Sequence, residues 1–312
     1  MSTLGIITVV TNEKQNLEEF YSSLVQQAFK DFTLYFVDNN SSDGSVKFFK
    51  DLNSGNTLNV KYIELSFNSG FSGGCNEGAK AAIDDGSEYL FFSNNDLVYD
   101  PLAMLELHNL FLTDTALGCA GPLLLKHKDN TPEEIQEFGG KINFNSGKLE
   151  KYYANQNIKD TTLPGIIETD FIGGGVCFIK ADVFSKIGMF ENSYFAYFDE
   201  IDLAYRLKIL NKYKMKVTSF ARIWHNHKWS KKNRYGYYFE YYLSQRNKFL
   251  YFKKYKMRSS LIFSAAEDLL KFPWRALWFI KVCDYKLPFY YLKGMLDGLL
   301  NKKGKPVLSF VK

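Results

Sequence analysis

A chain of 312 residues, 46% apolar and 23% charged, has the make-up of a globular protein with one large core, or one core plus an appendage. Its four cysteines (Cys75, Cys119, Cys177 and Cys283) are widely spaced with no CxxC pair, which speaks against a disulfide frame or zinc site and for buried thiols in a reducing compartment. The net charge of +5 conceals two unlike parts: residues 1–227 carry a balance of −9, whereas residues 228–312 carry +14 and 21 of the 53 aromatics. A boundary near residue 230 is expected.

No basic stretch leading into an apolar run opens the chain, so no cleaved signal peptide is expected and the start reads as cytoplasmic. LGIITVV (4–10) is a β-branched apolar run, the pattern of a strand covered on both faces. Leu17, Phe20, Tyr21, Leu24 and Val25 then recur at helical spacing after Asn16, an expected N-cap. TLYFVD reads as a second strand, VKYIEL as a third, CNEGAKAAID as a helix and YLFFS as a fourth strand. Later come DFIGGGVCFIK, the helix DEIDLAYRLKIL (199–210) and the strand KVTSFARIWH (216–225). Strands alternating with helices predict an open, mainly parallel α/β sheet flanked by helices, with ligands beyond the carboxyl ends of the strands. The segments that follow the four strands (TNEKQN, DNNSSDGS, SFNSGFSGG and NND) are all small and polar, and all should open on one edge.

Each candidate has a plain alternative. NSGFSGGCNEGAK lacks the Gly-Lys-Ser/Thr of a Walker loop and the G-x-G-x-x-G of a dinucleotide site, so it is either a close backbone approach to a ligand at a helix N-terminus or a strand-to-helix turn. Asp38 either caps its turn or accepts a hydrogen bond from a pyrimidine N–H. Asp96, with Asn94 and Asn95 beside it, either ends a turn before Pro101 or supplies the one firm carboxylate that a hydrated divalent cation on a phosphate needs. In YFDEIDLAYR, Asp202 sits four residues before Arg206 as an ion pair would, and Asp199 and Glu200 suit a helix start. Crowded carboxylates also raise the pKa of one of them, as a general base requires. His225 and His227 share one strand face, where one histidine could join Asp96 on a cation; Trp224 and Trp229 suit ordinary packing.

In this order, VVTNEKQNLEEFYSSL, FVDNNSSDGS, NSGFSGGCNEG, FFSNNDLVYDP, FIGGGVCFIKADVFSKIGMFENSYFAYFDEIDLAYRL and IWHNHKWS resemble the family-2 glycosyltransferases of the GT-A fold, above all bacterial rhamnosyltransferase-type enzymes of polysaccharide assembly. The resemblance implies a catalytic domain over 1–230, with Thr11 and Asp38 at the nucleotide base and Asn68, Gly70 and Phe71 on the nucleoside side. NND stands at the DXD-type motif, which places Asn94 and Asn95 at the donor and Asp96 on a Mg2+ or Mn2+, with His225 as second ligand. Asp199-Glu200 stands at the acidic pair that supplies the base, Glu200 by position. Two departures stand out: Asn94 replaces the first Asp of DXD, and the acidic pair reads Asp-Glu where Glu-Asp is commoner. The implied reaction is inverting transfer of a rhamnose-like or other hexose from a dTDP- or UDP-sugar to a glycan or polyprenyl-linked acceptor.

The segment 231–312 mixes aromatics with Lys and Arg, but Lys281 and Glu267-Asp268 interrupt its apolar runs short of the roughly 20 residues a membrane span takes. It reads as amphipathic helices lying on the inner face of the cell membrane, or as helices packed on the catalytic domain. Nucleic acid is disfavoured because Leu261, Ile262, Phe263, Trp278, Phe279 and Ile280 fill the same segments. The rival classes are a nucleotidyltransferase, for which TVVTNEKQN lacks a phosphate loop, and an inactive membrane-docking protein of the same fold.

Overall fold

The computed structural model describes residues 3–126, 133–226 and 234–308. His227 and Trp229 lie outside the described residues. The chain divides into two compact units: residues 1–142, 149–190 and 203–227 form the first, and residues 143–148, 191–202 and 228–312 the second.

In the first unit β1 (Leu4–Val10), α1 (Leu17–Val25), β2 (Phe32–Asp38), α2 (Ser45–Leu52), β3 (Val60–Glu64), α3 (Gly70–Asp84) and β4 (Tyr89–Ser93) alternate, with α2 as a helix the sequence reading does not contain. β5 (Leu97–Tyr99), α4 (Ala103–Thr113), β6 (Leu117–Lys126), β7 (Ile135–Glu137), β8 (Gly140–Asn143), β9 (Lys148–Lys151), β10 (Ile166–Glu168), β11 (Val176–Lys180) and α5 (Ala181–Lys186) follow. α6 (Asp199–Ala204), whose first residues belong to the second unit, runs into a π-helical turn at Tyr205–Leu210, and β12 (Lys214–His225) is the last strand along the chain. The strand order is β10-β12-β6-β11-β4-β1-β2-β3, with β5 on β12 and β7 on β6. β3-β2-β1-β4 is parallel, antiparallel β11 joins it to β6, and β6 pairs parallel with β12, so the long strands run mostly parallel. This is the α/β architecture expected, an open sheet flanked by helices.

β1 and β2 are buried because the sheet is covered on both faces. On one side Leu4, Ile6, Phe20, Phe36, Phe49, Phe91 and Phe178 form a continuous core. On the other, α3 lies so close to β1 that a methyl group at Gly78 would stand 2.5 Å from Ile7 Cγ2 and 2.9 Å from Val37 Cγ2. Glycine, poor in a helix by propensity, is what permits this approach. The glycine-rich stretch is therefore helix from Gly70 onward, where the sequence suggests a loop up to Cys75.

The second unit is built on α7 (Arg234–Lys254), α8 (Arg258–Val282) and α9 (Leu287–Leu299). α9 meets α7 backbone to backbone: a methyl group at Gly294 or Gly298 would fall 2.3 Å from Tyr242 O or 2.5 Å from Arg246 O. Buried Asp268 accepts from Gln245, from Lys248 Nζ (2.5 Å) and from Arg275 Nη1, together with Tyr291 Oη at 2.9 Å. No helix among the described residues is long and apolar enough to cross a membrane.

Candidate active site

Three parallel strands end together at one edge, since Val10 pairs with Asp38 and Thr8 with Ser93. Thr11, Asp38 and Asn94 to Asp96 are therefore neighbours in this edge although far apart in sequence. Asp38 is buried, and its two oxygens lie 3.3 and 3.1 Å from the Ser41 N–H, so it does cap its turn. Asn39, which the sequence offers only as a turn residue, does more: its Oδ1 accepts from Ser69 N (2.8 Å) and Ser69 Oγ (3.0 Å), and its Nδ2 donates to Asn68 Oδ1 and Gly70 O, each at 3.1 Å. Asn68 Oδ1 in turn accepts from Gly70 N at 2.9 Å. One buried amide thus ties the end of β2 to the N-terminus of α3. Asn68, Gly70 and half-buried Phe71, whose ring lies 6.0 Å from that of Phe190, are set by it. Asn16 occupies the expected N-cap position but makes no capping bond; its side chain turns to Asn95 Oδ1 instead, at 3.4 Å.

In the NND turn the three residues have different duties. Asn94 N donates to Gly175 O at 3.0 Å, which anchors the turn to the FIGGG segment. Asn95 is buried, with Nδ2 donating to Glu13 Oε2 at 2.6 Å, and so binds the turn to the loop after β1. Asp96 meets His225: Oδ2 is 3.1 Å from Nε2. Residues 129 apart meet because β12 pairs antiparallel with β5, which starts directly after Asp96, in the register His225 to Leu97. The other ring nitrogen, Nδ1, faces the Gln136 amide on β7, 2.8 Å from Nε2 and 3.2 Å from Oε1. No sequence pattern points to Gln136.

Among the described residues no group of three or more His, Cys, Asp and Glu could close around a metal. The Asp96–His225 pair offers one oxygen and one imidazole nitrogen, with side chains 12% and 15% exposed. This donor set suits a divalent cation that keeps waters and takes its remaining oxygens from phosphates.

Asp199 and Glu200 belong to the second unit. Asp199 is 2% exposed and Glu200 half-buried. Burial, reinforced by the neighbouring Glu200 charge, pushes the Asp199 carboxyl well above the usual carboxylate range. Asp202 is fully buried and is held by Lys254 Nζ (2.9 Å) and Tyr255 Oη (2.8 Å), while Arg206 Nη1 donates to the carbonyls of Ile187 (2.7 Å) and Met189 (2.5 Å).

The family model for glycosyl transferase family 2 matches residues 5–184. The chain belongs to that family. This family-2 glycosyltransferase is similar to the low-salt glycan biosynthesis hexosyltransferase Agl10 of Haloferax volcanii, 24% identical over 318 residues that cover 98% of this chain and 94% of the relative. Its fold is shared with GalNAc-T7 solved with UDP, GalNAc and Mn2+, at TM-score 0.61 and 16% identity; the match covers 79% of this chain but 47%, about half, of that one. It is shared also with the mannosyltransferase PcManGT from Pyrobaculum calidifontis in complex with GDP-Man and Mn2+, at TM-score 0.60 and 13% identity over 97% and 88% of the two chains. S. aureus TarS 1-349 matches at TM-score 0.54 and 14% identity, over 95% and 88%. The family-2 match, over more than half of the sequence, makes the chain a glycosyltransferase, and its likeness to these solved enzymes gives it the GT-A fold.

Proposed function

We propose that this glycosyltransferase moves a hexosyl group, rhamnose or a related hexose, from a dTDP- or UDP-linked donor to a polyprenyl-linked glycan, with inversion at the anomeric carbon. The observation that carries the reading is the Asp96–His225 contact of 3.1 Å at the strand edge where Thr11 and Asp38 also emerge. The hexosyltransferase relative and the nucleotide-sugar- and Mn2+-bound neighbours support the same chemistry.

Thr11 and Asp38 would contact the base, and Asn68, Gly70 and Phe71 the nucleoside, on the frame that Asn39 fixes. Asn94 and Asn95 would shape the turn beneath the donor. Asp96 and His225 would hold Mg2+ or Mn2+, which when bound offsets the charge of the departing diphosphate as a Lewis acid. Glu200 would take the proton from the acceptor hydroxyl as its oxygen bonds to C1, while the C1–O bond to the diphosphate breaks and its electron pair leaves with the phosphate. A base so placed is typically worth about 10²–10⁴-fold. Asp199, whose carboxyl burial pushes well above the usual carboxylate range, would leave the role of base to Glu200.

The catalytic domain would comprise residues 1–230, and residues 231–312 would attach it to the inner leaflet. On α8, Phe263, Leu270, Trp274 and Leu277 are 79%, 75%, 75% and 70% exposed at helical spacing along one side. Such a face lies in a lipid interface, and each basic residue near an anionic leaflet adds about 1 kcal/mol.

The test is thermal shift with dTDP-, UDP- and GDP-sugars, with and without Mn2+. One donor should stabilise the fold in a Mn2+-dependent way that Asp96→Ala abolishes, since a ligand of the native state raises stability by mass action. No stabilisation by any nucleotide sugar, or release of pyrophosphate from a nucleoside triphosphate, would overturn the reading.

A further inference from the structure

The stretch YYLSQRN lies in α7, and its last two residues belong to neither the donor edge nor the acidic pair. Arg246 and Asn247 are polar neighbours only 1% and 0% exposed, a placement that is costly unless their donors are satisfied. Backbone carbonyls and one side-chain amide oxygen receive them. Arg246 Nη2 donates to Tyr194 O and Nη1 to Gly304 O, both at 2.8 Å, while Nε donates to Asn247 Oδ1 at 3.0 Å. Asn247 Nδ2 lies 3.0, 2.8 and 2.9 Å from the carbonyl oxygens of Tyr194, Ala196 and Tyr197. Gly304 N donates to Ser193 O at 2.7 Å and closes the arrangement.

The turn gripped in this way is strained. Phe195, Tyr197 and Phe198 have φ of +69°, +63° and +72°, a region that aromatic L-residues rarely enter. Such a conformation persists only where the surroundings over-determine it, and strain of this kind clusters at functional sites. Asp199 and Glu200 follow directly. Three residues on from Asp199, Asp202 is anchored by Lys254, at the end of α7, and by Tyr255. The chain is thus fixed on both sides of the acidic pair by residues at or next to α7.

We infer that Arg246 and Asn247 are positioning residues for the acidic pair, holding the turn 195–198 in its left-handed form so that Glu200 is aimed at the acceptor hydroxyl. The inference rests on the reading of Glu200 as the base. A misplacement of about 1 Å can cost on the order of 10²-fold in rate, and here it would fall on kcat with the donor KM left unchanged.

The experiment is a double-mutant cycle on the full chain with the donor found by thermal shift. Asn247→Ala should lower kcat by roughly 10–100-fold and leave the donor KM within about twofold. Arg246→Lys, which keeps the charge, should recover part of the rate lost in Arg246→Ala. Combined with Glu200→Gln, Asn247→Ala should cause no further loss, because a residue acting through Glu200 has nothing left to position. A purely structural role predicts additive losses, and that result overturns the inference. If Asn247→Ala does not fold, Asn247→Ser enters the same cycle under the same expectations. Wild-type turnover by Glu200→Gln would remove the assignment of the base. Inactive Glu200→Gln beside fully active Asn247→Ala would remove the positioning role alone.

Discussion

Replacing Gln136 with leucine keeps the side-chain volume of β7 but takes away the partner of His225 Nδ1. The two contacts, 2.8 Å to Nε2 and 3.2 Å to Oε1, cannot both be hydrogen bonds at once. In the first, the amide donates to Nδ1, and the ring proton sits on Nε2 facing Asp96. In the second, Nδ1–H donates to Oε1 and the Nε2 lone pair is free for a cation. Gln136 can serve either tautomer by turning its amide; leucine serves neither. The His225 side chain is only 15% exposed, so water is a poor substitute. Hydrogen bonds of this outer kind are worth about 10–100-fold in metal affinity, or about 1.4–2.7 kcal/mol. The assay is a Mn2+ titration of the donor-dependent thermal shift. For Gln136→Leu its midpoint should rise by roughly 10–100-fold, with the melting temperature in the absence of Mn2+ little changed. A midpoint equal to that of the parent would refute the view that Asp96 and His225 bind the metal through a ring held by Gln136.

Three further outcomes are expected. Asp199 is protonated in the fold at pH values where the unfolded chain, with its ordinary value of 3.8, has lost the proton; its contribution is full below that value and is lost as pH rises toward the folded pKa. Thermal melts should therefore show Asp199→Asn at least as stable as the parent at about pH 8, with the difference shrinking toward about pH 4. Gly78→Ala should cost about 1–3 kcal/mol by overpacking against Ile7 and Val37, while Gly55→Ala, whose nearest neighbour atom would be 3.8 Å away, should stay within about 0.5 kcal/mol in denaturant melts. Trp274→Glu on α8, an exposed position, should leave the melting temperature alone and weaken co-sedimentation with anionic vesicles by about tenfold or more, and unchanged sedimentation would count against the docking face.

The first half of the sheet is legible in the sequence as apolar runs between polar turns, whereas β6, ten residues long and buried, has no counterpart among the expected strands. LGIITVV and β1 share both ends, and FTLYFVD differs from the expected strand by one residue. Short pieces such as β5, β7 and β10, three residues each, leave no periodic trace, and their pairing is decided by partners far along the chain. That is why Gln136 has no sequence signal although it faces His225. The start of α3 is hidden because Gly70, Gly73 and Gly74 look like loop by propensity, a preference overruled by the closeness of helix and sheet. Asp96, His225 and the acidic pair are visible as polar residues at element ends, but their roles come from resemblance. YYLSQRN is visible too. What Arg246 and Asn247 do is not, because they recognise main-chain carbonyls, which have no sequence signature.

Gly294 and Gly298 place a narrow restriction on how α9 can drift in sequence. Two of its thirteen positions have no room for any side chain, and the obstacle at each is an oxygen of the neighbouring main chain, which cannot rotate aside. A protein that built this helix pair with alanine at 298 would have to part the helices, and the first atoms displaced would be those of the Arg246 peptide. A change at 298 would in that way reach the turn at residues 195–198, preceded by the Tyr194 carbonyl that Arg246 holds, without touching it directly.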